Sequence, residues 1–161
     1  MSTVNYLQYG LAPRLDPNLD MTASPVVFNV TLGVVNGQIV LDFEQEGKPG
    51  QKYIGITKNC VVVIKLNGDQ LWLSRDRDAI TTKEPLSSYY GGLVYDGYDK
   101  TLDRYNTVSF NAIYNSGGKY GTNHPFNINV DLKQTAADGT VSWVPLTIDP
   151  DIKNPPPQGS G

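Results

Sequence analysis

Hydrophobic and polar residues alternate along several short stretches of the chain, as they do in β-strands with one buried face. The clearest stretch is residues 26–35, and a second alternating run follows at residues 38–43. Asn36-Gly37 separates the two runs. An Asn-Gly pair tolerates the positive φ angles that a type I′ turn needs at both central positions, so this region predicts a β-hairpin.

Similar signals continue to the C-terminal end of the sequence. Residues 60–66 and 70–74 flank Asn67-Gly68 and predict a second hairpin. Pro145 predicts an edge strand or a bulge, because proline cannot donate to a strand ladder. Other runs predict strands at residues 4–9, 92–97, 107–115, 125–133 and 140–148, with turns at Asp96-Gly97 and Asp138-Gly139.

The absence of a clear 3.6-residue period argues against any helix longer than one turn, for which residues 76–86 are the only candidate. About seven to nine short strands predict an all-β fold, an antiparallel β-sandwich with immunoglobulin-like architecture. An up-and-down β-barrel is the alternative. The predicted organisation is an irregular segment at 1–24, a sandwich domain at 25–150 and a Pro/Gly-rich tail at 151–161.

Composition narrows the range of partners. The chain has 161 residues and a formal net charge of −3, with no basic run. Neither nucleic acid nor a membrane is therefore predicted as a partner. The charges of residues 75–78 cancel, which suggests a solvated turn. No signal of the Sec type and no apolar run of about 20 residues is seen, so we expect a cytoplasmic protein.

Several kinds of catalytic centre lack their residues. Cys60 is the only cysteine and lies in an apolar run, which predicts a buried, inert thiol. His124 is the only histidine, so a zinc site built on histidines is excluded, and we interpret it as a loop residue at a strand start. The glycine-rich stretch at 116–121 lacks the spacing and the following helix of a phosphate-binding loop. No cofactor is predicted.

The segment 83–100 carries most of the candidate binding chemistry. Tyrosine combines an apolar ring with a hydroxyl, which suits sugar stacking and protein interfaces alike. The speculative ligand-binding residues are Tyr89, Tyr90, Tyr95, Tyr98 and Trp72. The alternative is that these tyrosines are ordinary half-buried strand residues, because one flat platform of all four requires a bulge at Gly91 and Gly92.

No metal site is predicted, and calcium is only a minor alternative in the same region. Its candidate ligands are Asp96, Asp99 and Asp103. Calcium takes six to eight oxygen ligands, but the spacing of these aspartates is not that of an EF-hand loop. Aspartate and glycine are also ordinary turn residues.

Two dipeptides, Glu84-Pro85 and Asp149-Pro150, accompany the all-β pattern. With them the chain resembles the DP-EP family of small bacterial β-sandwich proteins of unknown function, over about residues 25 to 155. The resemblance implies a sandwich fold and supplies no catalytic residues.

Our main functional prediction is a non-enzymatic β-sandwich that acts by binding another protein or by self-association as a homo-oligomer. The first alternative is a carbohydrate-binding module that uses the tyrosine-rich surface. The second is an enzyme of unknown type built on Asp42, Glu44, Asp96 or His124. Enzyme status is undecided, with a non-enzymatic protein favoured.

Overall fold

The computed structural model describes residues 8–118 and 120–157. Within these ranges the chain forms twelve β-strands and no helix. The strands are β1 (Tyr9–Gly10), β2 (Val26–Val35), β3 (Gln38–Gln45), β4 (Ile54–Gly55), β5 (Cys60–Asn67), β6 (Leu71–Leu73), β7 (Ile80–Thr82), β8 (Tyr90–Asp99), β9 (Arg104–Ala112), β10 (Asn123–Thr135), β11 (Val141–Ile148) and β12 (Asp151–Lys153).

The strands form two sheets. One has five strands in the order β3-β2-β5-β9-β8. The other has seven strands in the order β1-β7-β10-β12-β4, and β6 and β11 also pair with β10. Buried side chains from both sheets form one hydrophobic cluster, which includes Phe28, Ile64 and Phe110 from the first sheet and Leu73, Phe126 and Ile128 from the second.

The expectation of an all-β, sandwich-like fold is confirmed, and the described strands form no closed barrel. Two details differ from it. The strands outnumber the prediction, because several have only two or three residues and carry little periodicity. The sheets are also mixed, because β2 pairs with β5 and β4 with β12 in parallel.

Local turn chemistry explains the pairings that were predicted correctly. Asn36 and Gly37 have φ angles of 51° and 77°, and they connect β2 and β3 as an antiparallel hairpin. Gly139, with φ 87°, lies in the turn between β10 and β11. Pro145 lies in β11, which pairs with β10 alone among the described strands, so the prediction of an edge strand is confirmed.

The predicted second hairpin is wrong. β5 belongs to the five-stranded sheet, whereas β6 pairs with β10 in the other sheet. All three residues of β6 are buried, as expected of a strand that is covered on both faces. Gly68 alone has positive φ in the Asn67-Gly68 pair, so the connection crosses between the sheets and is not a type I′ turn.

The β8–β9 hairpin also differs from expectation. Its turn lies at residues 100–103, beyond the predicted Asp96-Gly97, and Asp103 adopts a φ of 53° there. The register of the pair shifts between Gly91 and Val94, which is the bulge that one tyrosine platform would require.

The ends of the described chain contribute to the seven-stranded sheet. Residues 151–153, inside the predicted tail, form β12 between β10 and β4. The predicted strand at 4–9 lies mostly outside the described residues, and only Tyr9–Gly10 pairs with β7. The candidate helical turn contains β7 instead. No helix of sufficient length and hydropathy to span a membrane occurs in the described ranges.

Candidate functional site

A cleft of about 320 Å³ opens at one end of the sandwich. One wall is the segment 74–78, which follows β6, and the other is the β8–β9 hairpin. The charged residues that line it are Arg75, Arg77, Arg104, Asp76, Asp78 and Asp103, and the aromatic residues are Tyr95 and Tyr105. The cleft thus collects cationic, anionic and aromatic groups from segments that are distant in sequence.

Arg77 holds the segment 74–78 against the sheet below. Its Nη1 donates hydrogen bonds to Asn129 Oδ1 and Thr147 Oγ1, at 3.3 and 3.1 Å. Its Nη2 donates to the backbone carbonyls of Val130 and Leu146, at 3.1 and 3.0 Å. Because both terminal nitrogens are committed to neutral groups on β10 and β11, we assign Arg77 a structural role in this wall.

Arg104 forms the deepest cationic group of the cleft, with only 5% of its surface exposed. Its Nε donates to Asp131 Oδ2 at 2.9 Å, and its Nη1 donates to the Leu102 carbonyl at 2.9 Å. The guanidinium lies 3.6 Å from the centre of the Trp143 ring system, a cation–π contact. Asp131 Oδ2 also accepts from the backbone N–H of Arg75 at 3.3 Å, so one buried carboxylate contacts both walls.

Arg75 is the accessible arginine of the cleft, with half of its side chain exposed. Its nearest carboxylates are those of Asp76, at 3.7 Å from Nε, and Asp103, at 3.8 Å from Nη1. Both separations exceed a hydrogen bond, and exposed ion pairs of this kind contribute little to stability. The Arg75 guanidinium can therefore exchange these contacts for a ligand at small cost.

The β8–β9 hairpin contributes an aromatic wall. The ring of Tyr105 lies 5.4 Å from that of Tyr95 and 4.9 Å from that of Tyr98, centre to centre. The Tyr95 hydroxyl accepts from the backbone N–H of Ala79 at 3.0 Å, and the Tyr98 hydroxyl donates to Asp103. Tyr105 is 37% exposed and lines the cleft, so part of its ring is available for stacking.

The tyrosines named from the sequence do not share one surface. Tyr90 is fully buried, and Tyr89 is half-buried and stacks on His124. Tyr95 lines the cleft, and the ring of Tyr98 contacts that of Tyr105 in a tilted arrangement. Trp72 is 9% exposed and donates from its indole N–H to the Asp69 carbonyl at 2.9 Å. The bulge does not bring Tyr90 to the surface, and a common platform is absent.

The acidic residues named from the sequence are also dispersed. Asp96 and Asp99 accept hydrogen bonds from nearby backbone N–H groups of their own hairpin. Asp42 and Glu44 lie on β3, at the opposite edge of the five-stranded sheet from Asp96. No three His, Cys, Asp or Glu side chains among residues 8–118 and 120–157 are arranged to hold a metal ion.

His124 lies in β10 and is fully buried, so its interpretation as a loop residue is wrong. Its Nε2 is 2.9 Å from the Gly121 carbonyl, which requires a proton on Nε2. Its Nδ1 therefore accepts from the Tyr90 hydroxyl at 2.7 Å, and that hydroxyl accepts from Asn154 Nδ2 at 3.1 Å. Burial lowers the pKa of His124 and raises that of Tyr90. The three side chains satisfy one another, so we interpret this network as structural.

Cys60 is buried as predicted, and burial raises the pKa of its thiol to about 11. The glycine-rich stretch 116–121 includes position 119, which lies outside the described residues. Neither feature adds a reactive group to the cleft.

Sequence reasoning overlooked most of the cleft. Residues 75–78 were interpreted as a solvated turn, and three of the four are exposed, but the segment also forms a wall. Arg104, Asp131 and Tyr105 were not singled out. The available sequence signal was the alternation of Asn127, Asn129 and Asp131 with apolar residues along β10. The structure adds that all three polar residues are buried.

The fold and the cleft together define an all-β, sandwich-like protein with a recess lined by arginines, aspartates and aromatic rings. The chain belongs to the pNTSase1 family, which is described as a predicted novel nucleotide synthetase and whose model matches residues 1–157. No curated protein matches the chain.

The family match corrects two predictions. It replaces the resemblance to the DP-EP family, which rested on two dipeptides, with a match along nearly the whole chain. The family description also contradicts our main prediction of a non-enzymatic protein acting by protein binding or self-association, with carbohydrate binding as its alternative. The preference for a non-enzymatic protein therefore no longer holds, and whether this chain is an enzyme is an open question.

Proposed function

We propose that the chain binds a nucleotide in the cleft and takes part in a nucleotide-forming reaction. The observation that carries this proposal is the presence of the Arg75 guanidinium and the Tyr105 ring in one recess of about 320 Å³. Small-molecule sites typically measure about 300–1,000 Å³, so this cleft suits a single nucleotide. The family description supplies the reaction class.

Arg75 is the residue that we assign to the phosphate groups. A guanidinium presents paired N–H donors that match phosphate oxygens, and charge assistance makes these hydrogen bonds strong. Half of the side chain is exposed, and its two carboxylate neighbours are both beyond hydrogen-bonding distance. In a reaction at phosphorus, the same positive charge would stabilise negative charge that develops on the transferred group.

Tyr105 is the residue that we assign to the base. Stacking of a base on an aromatic side chain contributes about 1–3 kcal/mol and tolerates any base, because each base has a π-face. Tyr95 and Tyr98 support the Tyr105 ring from the same hairpin. Asp78 and Asp103 line the same cleft, where their carboxylates would accept hydrogen bonds from sugar hydroxyls or exocyclic amines.

Isothermal titration calorimetry with ATP, GTP, CTP and UTP, each with magnesium chloride, tests the binding step. We expect saturable binding of at least one nucleotide. Arg75→Ala should weaken it about 10- to 100-fold, the equivalent of about 1.5–3 kcal/mol for a hydrogen bond to a charged group. Lys52→Ala is the matched control, because it removes a half-exposed cation that pairs with Asp42 on the surface, away from the cleft.

The binding proposal fails if the wild-type protein binds none of the four nucleotides, or if the Arg75 and Lys52 variants bind equally well. Catalysis has a separate test, in which phosphorus NMR and mass spectrometry follow the four triphosphates during incubation with the protein. A new nucleotide that disappears with Arg75→Ala supports an enzyme, whereas binding without any product contradicts that part alone. A cytoplasmic location, predicted from the sequence, would give access to such substrates.

A further inference from the structure

We propose that the buried Arg104–Asp131 pair is a preorganised anion-binding element at the floor of the cleft. In this arrangement Arg104 contacts the anion, and Asp131 is a positioning residue that acts through Arg104 and Arg75. The identification of the anion as the phosphate of a nucleotide rests on the proposed function. Anion binding itself rests on the geometry alone.

The guanidinium of Arg104 is fixed before any ligand arrives. It has three restraints on different sides: the Asp131 carboxylate at 2.9 Å, the Leu102 carbonyl at 2.9 Å and the Trp143 ring at 3.6 Å. A free arginine loses much conformational entropy when it is ordered on a ligand. Arg104 has already lost that freedom, so an anion would meet a rigid donor, which favours affinity.

One nitrogen of Arg104 is uncommitted. Nε and Nη1 donate to Asp131 and Leu102, while Nη2 makes no hydrogen bond to the described part of the chain. No buried side-chain nitrogen or oxygen in that part lacks a partner, so Nη2 must retain access to solvent. Arg104 is 5% exposed and lines the cleft, so we infer that this remaining access is from the cleft.

Stability alone does not explain a buried ion pair at this position. Replacing a buried ion pair with well-packed apolar side chains of similar size is often neutral or stabilising, because desolvation offsets the attraction of the charges. A role in binding gives a reason for a charged pair at the floor of a recess. The geometry points the same way, because the contacts of Nε and Nη1 leave Nη2 without a hydrogen bond to the described part of the chain.

Asp131 couples this floor to the accessible arginine. The oxygen that accepts from Arg104 Nε also accepts from the backbone N–H of Arg75 at 3.3 Å. Asp131 is itself 6% exposed and belongs to β10, the central strand of its sheet. Because a rigid strand supplies the carboxylate, the positions of Arg75 and Arg104 are set relative to each other.

Calorimetric titration of the whole protein with inorganic pyrophosphate, and separately with ATP, tests this inference. Arg104→Lys keeps the charge and a donor for Asp131, but its single ammonium nitrogen places no second donor at the position of Nη2. We expect it to weaken pyrophosphate binding about 10- to 100-fold, as for loss of a hydrogen bond to a charged group, while the urea midpoint stays near that of the wild type. Full pyrophosphate binding by Arg104→Lys would overturn the inference, because lysine can replace a cation whose role is purely structural.

Asp131→Asn tests the positioning role through the sign of its effect. Removal of a negative charge beside the cleft should strengthen pyrophosphate binding if only electrostatics mattered. We expect weaker binding, because a neutral amide oxygen would hold Arg104 and the Arg75 backbone less firmly than the carboxylate does. Stronger binding would contradict the positioning role.

A double variant, Arg104→Met with Asp131→Leu, protects the test against misfolding because it leaves no unpaired buried charge. Circular dichroism should show a folded protein with pyrophosphate binding at least 10-fold weaker. If it does not fold, Arg104→Lys alone decides.

Equal binding by wild-type, Arg104→Lys and double-variant proteins overturns the inference and leaves the proposed function standing. Binding of pyrophosphate but of no nucleotide overturns the proposed function and leaves this inference standing. A wild-type protein that binds neither ligand overturns both proposals.

Discussion

Removal of a single oxygen atom from the buried network should destabilise the fold strongly. Tyr90→Phe deletes the hydroxyl that donates to His124 Nδ1 and accepts from Asn154 Nδ2. Both partners are fully buried, so each keeps a polar group that no water can reach. An unsatisfied buried group costs about 1–3 kcal/mol. His124 Nδ1 loses its only partner, whereas Asn154 Nδ2 keeps its hydrogen bond to the Ile113 carbonyl at 2.9 Å and leaves one N–H unpaired. We therefore expect a total loss of about 3 kcal/mol.

Urea unfolding followed by tryptophan fluorescence measures this loss, and thermal unfolding provides a second reading. At about 2–4 °C per kcal/mol for a domain of this size, the midpoint temperature should fall by roughly 6–12 °C. Tyr98→Phe is the matched control, because it deletes the same atom from a tyrosine that is 50% exposed and bonded to Asp103. Its effect should stay within about 0.5–1 kcal/mol. Equal losses in the two variants would refute the reasoning from burial.

Three further outcomes follow from the buried groups and from the close packing of a strand. Burial lowers the folded-state pKa of His124 below 6.5, so the unfolded chain binds a proton at this residue more readily than the folded protein does. The free energy of unfolding should therefore fall as pH drops from about 6.5 to that lowered pKa. His124→Gln should remove this slope in urea titrations from pH 8 to 5. Burial raises the pKa of the Cys60 thiol to about 11, so Ellman's reagent at pH 8 should modify Cys60 in urea but not in the native protein. Rapid modification of the native protein would contradict the burial of Cys60. Gly97→Ala should destabilise the β8–β9 hairpin, because Gly97 has a φ of 69° and a Cβ there would collide with the Asn106 amide; an unchanged urea midpoint would contradict this packing.

Local chemistry explains how much of the fold could be predicted from the sequence. The Asn36-Gly37 hairpin depends on the φ preferences of two residues, and the edge position of β11 depends on Pro145, which lacks an N–H. Both signals act within one hairpin. The Asn67-Gly68 signal failed because the uninterrupted apolar stretch of β6 favoured burial against β10 over pairing with β5.

The cleft depends on contacts that sequence periodicity does not encode. Arg104 and Asp131 lie 27 positions apart, and Asp131 is 56 positions from the Arg75 backbone that it holds. Alternation can assign Asp131 to the polar face of its strand, but it cannot show that Asp131 is buried there. His124 was misplaced for a similar reason, because the following proline suggested a loop and the pairing with Ile152 places it in a strand.

The most direct test of nucleotide binding in the cleft is chemical-shift mapping of the nitrogen-15-labelled protein. The titration uses the nucleotide that binds most tightly, or each of the four in turn if none binds in calorimetry. Nucleotide binding in the cleft predicts that the perturbed amides cluster in residues 73–78, in residues 102–106 and around Tyr95. The hairpin tip at Asn36-Gly37, at the far edge of the five-stranded sheet, should not respond. Shifts confined to other surfaces, or no shifts with any of the four nucleotides at millimolar concentration, would contradict the cleft as a nucleotide site.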